Sequence, residues 1–270
     1  MKIRSFKSLI LAGAVAAGSL AYGQNIYLTG HDVLLHSGQN GYDEVILEYL
    51  RDGEGTKATY DVLYITSGGT GGGLASVTAE GYNVTTISHA DFGADPAAAL
   101  AGVDAMVLPW IFDGGAAGSA AVVSAAAEIE TFFNAGGDIW ANSSFTTSTF
   151  YDFLPPSAAA SGPSISGSSG FTATTEGAAI GIASNMINGF PTHNQFTAFD
   201  PAFTVMETRG SEVISIGLKG GTIVTTSSGG TSIVVTTGTT SGPGVPDSGS
   251  STILLLLGAS AIAALRRFVK

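Results

Sequence analysis

Between Asn25 and Leu154, short apolar runs alternate with segments whose apolar residues recur at helical spacing, and that alternation restricts the chain to strands joined by helices. Asn25 to Leu28 reads as an opening strand, followed by a turn at Gly30-His31-Asp32. Tyr42 to Arg51 sets Val45, Ile46, Tyr49 and Leu50 on one side of a helix, with Asp43, Glu44 and Glu48 on the other. Further strands are expected at Tyr60 to Thr66, Asn83 to Ile87, Ala105 to Leu108 and Asp138 to Ala141. Helices are expected at Leu74 to Glu80, Pro96 to Leu100 and, the longest, Ser119 to Ala135, which Gly136-Gly137 closes. This rhythm implies an α/β fold with a mainly parallel sheet and helices on both faces.

Past Leu154 the pattern changes. Ser157 to Ser169 is Ser, Ala, Gly and Pro without apolar period and reads as an exposed loop. Met186 to Phe199 contains an aromatic and polar turn around His193, and Thr204 to Glu207 and Val213 to Leu218 read as strands of a β-rich, antiparallel C-terminal edge. From Gly220 to Gly244, Thr, Ser and Gly dominate, which suits a stalk, although the patches at Ile223-Val224 and Ile233-Val234-Val235 fit strands as well.

The order strand, long helix, Gly-Gly turn, strand from Asp104 to Trp140, followed by Tyr151-Asp152-Phe153-Leu154-Pro155, resembles the class I glutamine amidotransferase-like fold. That resemblance implies a flavodoxin-like sheet with a nucleophile elbow after the fifth strand. An amidotransferase needs a thiolate there, and the chain contains no cysteine, so that activity is excluded. The corresponding residues are Asn142-Ser143-Ser144-Phe145. A serine nucleophile at Ser143 or Ser144, served by His31 or His193, is conceivable, but no glycine flanks these serines to ease a strained elbow. The simpler reading has their hydroxyls capping the next helix.

Ligands in an open parallel sheet bind outside the carboxyl ends of its strands, where His31, Asp32, Trp110, Asp113 and Asn142 fall in this layout. They are the candidate ligand-binding residues. The four histidines, His31, His36, His89 and His193, match no compact metal signature, and each alone reads as a hydrogen-bonded turn residue; no metal or cofactor is assigned. The glycine run Ser67 to Gly73 lacks the Gly-Lys-Ser/Thr ending of a phosphate loop and reads as a flexible loop.

The two ends read as addresses. Lys2, Arg4 and Lys7 precede the apolar stretch Leu9 to Leu20, and Ala21-Tyr22-Gly23 offers small residues to a signal peptidase. At the other end Val245-Pro246-Asp247-Ser248-Gly249 is followed by an apolar run from Ile253 to Leu265 and then by Arg266, Arg267 and Lys270. The run has 13 residues, short of the ~20 an untilted helix needs, but flanking Ser250 to Thr252 and snorkelling arginines make a single transmembrane helix feasible. Basic residues after it should stay cytoplasmic, leaving the body outside. Motif, greasy segment and basic end together resemble the VPDSG variant of the PEP-CTERM sorting signal, which implies processing by an exosortase and delivery to the cell surface or extracellular matrix. The competing reading is an ordinary anchor that is never cut.

The expected organisation is therefore a signal peptide at 1–23, an α/β domain at 24–219, a stalk at 220–244 and a sorting signal at 245–270. With the targeting segments set aside, four Lys and Arg stand against twenty Asp and Glu, a formal charge of −16. Such a surface repels nucleic acid. Expected partners are an exosortase-like enzyme, signal peptidase, the membrane and a surface polysaccharide. Two functions fit: a non-catalytic exported binding or structural protein, or a surface serine hydrolase acting on a carbohydrate or ester.

Overall fold

A computed structural model describes residues 24–35, 40–67, 71–109, 115–142, 151–154, 159–161, 165–189, 191–225 and 231–234. Its centre is five parallel strands: β1 (Ile26–Thr29), β2 (Asp61–Ile65), β3 (Asn83–Ile87), β4 (Ala105–Leu108) and β5 (Asp138–Ala141), in the order β3-β2-β4-β5-β1. The fold is thus mixed α/β around a mostly parallel sheet. The β-rich edge is also present. β10 (Glu212–Leu218) lies antiparallel to β1 and forms a hairpin with β9 (Thr204–Arg209), which also pairs with the short β7 (Thr172–Ala173), while β8 (Phe196–Phe199) meets β10 at Val213, beyond the end of β1.

Alternation along the strands divides the core into two layers. Ile26, Leu28, Leu63, Ile65, Met106, Leu108, Ile139 and Ala141 pack with α3 (His89–Ala94), α4 (Pro96–Leu100), α5 (Gly115–Ser124) and α6 (Ala126–Asn134). Tyr27, Val62, Tyr64, Val107 and Trp140 face α1 (Tyr42–Arg51) and α2 (Gly71–Ala79). Helix α1 follows its apolar stripe, with Ile46, Leu47, Tyr49 and Leu50 buried, and Asp43 and Glu44 favour its positive first turn while Arg51 favours its last.

Four departures from the sequence expectations have local causes. The long helix expected over Ser119–Ala135 is interrupted at Ala125: the Ser124 hydroxyl bonds back to the Ala121 carbonyl and the Ala125 amide tightens onto Val122, which ends α5 before α6 begins. Helix α3 had no place in the expected layout, yet Ser88 caps it by accepting from the Asp91 amide at 3.0 Å. Within the expected loop at 157–169, β6 (Ala159–Ser161) pairs with β8 through its backbone, which needs no apolar period. In the expected stalk both apolar patches are strands, β11 (Thr222–Thr225) and β12 (Thr231–Val234), paired antiparallel.

The first of these stalk strands belongs to the domain. Ile223 is buried against the α6 side of the core, and the Asn134 side chain mimics a neighbouring strand, accepting from the Ile223 amide at 2.8 Å and donating to its carbonyl at 2.9 Å. Among the described residues no helix is long and apolar enough to cross a membrane. The signal peptide, sorting motif and transmembrane segment expected from the sequence lie outside the described residues.

Candidate functional site

The carboxyl end of β1 carries the densest polar chemistry. His31 follows the strand and is completely buried, with each ring nitrogen engaged: Nε2 lies 2.7 Å from Glu207 Oε2 and Nδ1 lies 2.6 Å from Thr192 Oγ1. The other Glu207 oxygen accepts from the hydroxyls of Tyr27 at 2.6 Å and Tyr42 at 2.5 Å. The Phe171 ring closes the cluster edge-on to the imidazole, with centroids 4.8 Å apart.

Burial by itself would raise the Glu207 carboxyl, but the imidazole charge and the donors from His31, Tyr27 and Tyr42 outweigh it and hold Glu207 below its usual range. Tyr27 and Tyr42 move the other way. Burial first, and the Glu207 charge second, push both phenols well above their ordinary value, so they remain donors. A sealed cluster of this kind ties β9 to the parallel sheet, and no substrate atom can reach it without unfolding.

Glu207 enters the core because the β9–β10 hairpin is irregular. Register shifts between Val213 and Ile216 let neighbouring residues Met206 and Glu207 both be buried, where regular alternation would expose one of them. A lone acid in the run Thr204 to Thr208, and a tyrosine inside the opening strand, were the sequence signals for this cluster. Thr192 reaches it through an isolated antiparallel bridge to His31.

Asp32 and His193 are brought together next to that cluster. His193 Nε2 lies 2.8 Å from Asp32 Oδ2; the imidazole keeps 17% exposure and the carboxylate 1%. The segment bearing His193 is fixed by backbone, its amide donating to the Gly30 carbonyl at 2.9 Å. Gly30 admits this crossing only because it lacks a side chain, since a Cβ there would lie 1.9 Å from the Asn194 carbonyl oxygen. Of the two bases considered for a serine nucleophile, His31 is thus committed at both nitrogens, while His193 has a carboxylate behind it.

Asn142 extends the ladder past β5 by donating its amide to the Leu108 carbonyl at 2.9 Å, and its side chain is fully buried. At the ends of β2 and β3, Ser67 Oγ lies 2.9 Å from His89 Nδ1. Trp110, Asp113, Ser143 and Ser144 lie outside the described residues, as does His36. Among the described residues no group of three or more acids and histidines converges as a metal site.

At the opposite, amino end of the sheet a groove of about 1030 Å³ is lined by Gln24, Glu54, Asp104, Glu128, Thr131 and Asn134, among others. Burial, then Asp104 and Asp52, raise the Glu54 carboxyl there. All four basic residues of the body are ion-paired, Arg51 with Glu48, Lys57 with Glu44, Arg209 with Glu212 and Lys219 with Asp52, and Arg51 also donates to the Glu54 carbonyl at 2.8 Å in the lining of this groove. No protein-family model, curated protein or solved structure matches the chain.

Proposed function

We propose that the chain is an exported protein whose tail is a sorting signal for an exosortase-like membrane enzyme, and whose α/β domain serves as a binding or structural module at the cell surface or in the extracellular matrix. The tripartite tail carries this reading: Val245 to Gly249, the apolar run to Leu265, and the Arg266-Arg267 end. The body's charge of −16 and its lack of cysteine suit a hydrated exterior. The strands β2 to β5 follow the 2-1-3-4 order of flavodoxin-like sheets, which supports the amidotransferase-like reading, as does the Gly136-Gly137 turn between α6 and β5. The first strand departs from the flavodoxin pattern by occupying the position of a fifth.

Replacing Val245 to Gly249 with alanine tests the sorting claim. Mass spectrometry of the mature C-terminus should show an uncut tail and the protein should stay in the membrane fraction; unchanged processing refutes it.

A second reading, a surface serine hydrolase acting on a carbohydrate or ester, is favoured by the Asp32–His193 pair, which has the base-and-orienter geometry such catalysis requires. An organophosphonate probe should then label the wild-type chain at Ser143 or Ser144 and fail to label H193A. Absence of labelling in the wild type removes this reading.

A further inference from the structure

The groove at the amino end of the sheet is lined by Glu54, Asp104 and Glu128, and among the described residues no lysine, arginine or histidine lines it. Asp104 and Asp52 act on Glu54 as like charges. The cations around this end are committed, Lys219 to Asp52 and Arg51 to Glu48. The acids of the groove therefore want a positive partner that no side chain supplies.

Gln24 lies in that lining, at the point where the expected signal peptide ends. Its side-chain amide donates to the Asn134 carbonyl at 3.1 Å. The next residue is locked into the core: the Asn25 amide donates to Asp138 Oδ1 at 2.6 Å, its Nδ2 donates to the Leu50 carbonyl at 2.6 Å, and its Oδ1 accepts from the Gly220 amide at 3.2 Å. Backbone bond lengths then hold the Gln24 nitrogen within about 6 Å of Asp138 Oδ1. The Glu54 charge also reaches Asp138, so Glu54 lies toward this corner of the groove. While residue 23 remains attached, the Gln24 nitrogen is a neutral amide, and Gln24 is held at φ 67°, a left-handed conformation unfavourable for a residue with a side chain. Hydrolysis of the bond between Gly23 and Gln24 gives the hydroxyl of water to the Gly23 carbonyl and its proton to the Gln24 nitrogen. The proton of the new Gly23 acid then passes through solvent to that nitrogen, which leaves a carboxylate on the released peptide and an ammonium on the domain.

We infer that the groove is a seat for the mature chain's own α-ammonium group, with Glu54 as its main counter-charge, so that removal of the signal peptide completes the fold with an ion pair the precursor lacks. Asp104 and Glu128 support Glu54 from β4 and α6, although one Asp104 oxygen is taken by the Asp61 amide at 2.7 Å. Asp138 is not the partner, because its two oxygens already accept from the Asn25 amide and the Tyr60 hydroxyl and its burial favours the neutral form. The seat rests on the proposed export, with cleavage before Gln24, and adds to it a role for the exposed terminus. An ammonium that gains acidic partners titrates above its ordinary value of about 7.7–8.0, so its stabilisation is fully present below that range and is lost as pH rises through the higher folded value.

The test uses two full-length chains, exported and purified in detergent: the natural one, and one with Ala-Ser inserted between Gly23 and Gln24, each with and without E54Q. Intact mass decides the cleavage reading by itself, since a natural chain that does not begin at Gln24 ends both that reading and the seat. A chain that begins at Gln24 isolates the seat. At pH 6.5, E54Q should lower the melting temperature of the natural chain by about 2–4 °C and should leave the extended chain unchanged or raise it, because there Glu54 has only like charges to face. At pH 10, where the α-amine is neutral, the loss in the natural chain should disappear. Equal shifts in the two chains, or the same shift in the natural chain at both pH values, overturn the inference. A natural chain whose α-nitrogen has closed onto its own side chain with loss of ammonia also overturns it, since no ammonium is then left to seat.

Discussion

Glu207, on the antiparallel side of the sheet, and Asp138, at the amino end of its parallel centre, are both carboxylates without exposure, yet they are displaced in opposite directions. Asp138 accepts from the Tyr60 hydroxyl and from the Asn25 amide at 2.6 Å, both neutral donors, and Lys219 acts on it only at a distance. Burial therefore dominates and raises it well above the ordinary range. Glu207 also has two tyrosine donors, but it has His31 in addition, and the sum outweighs burial. The difference teaches that neutral hydrogen bonds alone do not offset the burial of a carboxylate in this fold; a directly bonded imidazole tips the balance.

The comparison breaks first at Glu207. E207L leaves His31, Tyr27 and Tyr42 without their common acceptor inside the core, and urea denaturation should show a loss of about 3–5 kcal/mol. A loss below about 1 kcal/mol would mean that the cluster is not an ion pair. In the wild type the stabilisation from Glu207 belongs to its ionised form, since its folded value is depressed. It is present above the ordinary value of 4.5 and lost as pH falls through the lower folded value.

Asp138 sharpens the comparison with the opposite sign. Its raised folded value makes the protonated form the stabilising one, fully present below the ordinary 3.8 and lost as pH rises through the folded value. D138N keeps an acceptor for Asn25 and has no proton to lose when the chain unfolds, so it should be more stable than wild type at pH 7, by on the order of 1 kcal/mol, and equal to it near pH 3. A variant that is less stable at pH 7 would mean that the fold favours the carboxylate and that the neutral donors offset its burial. The smallest effect is expected far from both carboxylates: N134A removes the two bonds to Ile223 and should cost about 1 kcal/mol while leaving the pH profile unchanged.

Where residues obey a period, the fold was readable in advance. Strands β3, β4 and β5 and helix α1 lie at their expected bounds because a short apolar run bounded by turn residues, or apolar residues at helical spacing, leaves a mark within ten residues. The break at Ala125 left none, because it depends on a serine hydroxyl competing for one carbonyl. In the same way His31, Asp32 and Asn142 could be placed at strand ends from topology alone, whereas Glu207 and Thr192, 176 and 161 residues from His31, could not be assigned as its partners. Their meeting is set by a hairpin irregularity and a backbone crossing at Gly30, neither of which writes a local pattern.

The clamp between Asn134 and Ile223 moves the boundary at which this protein may be trimmed. A fragment stopped at Lys219, where composition turns to threonine and glycine, would uncover the apolar groove that Ile223 fills and strand the Asn134 amide, inviting self-association during production. Ending it after Val234 retains the hairpin and is the form to express, crystallise or immunise with.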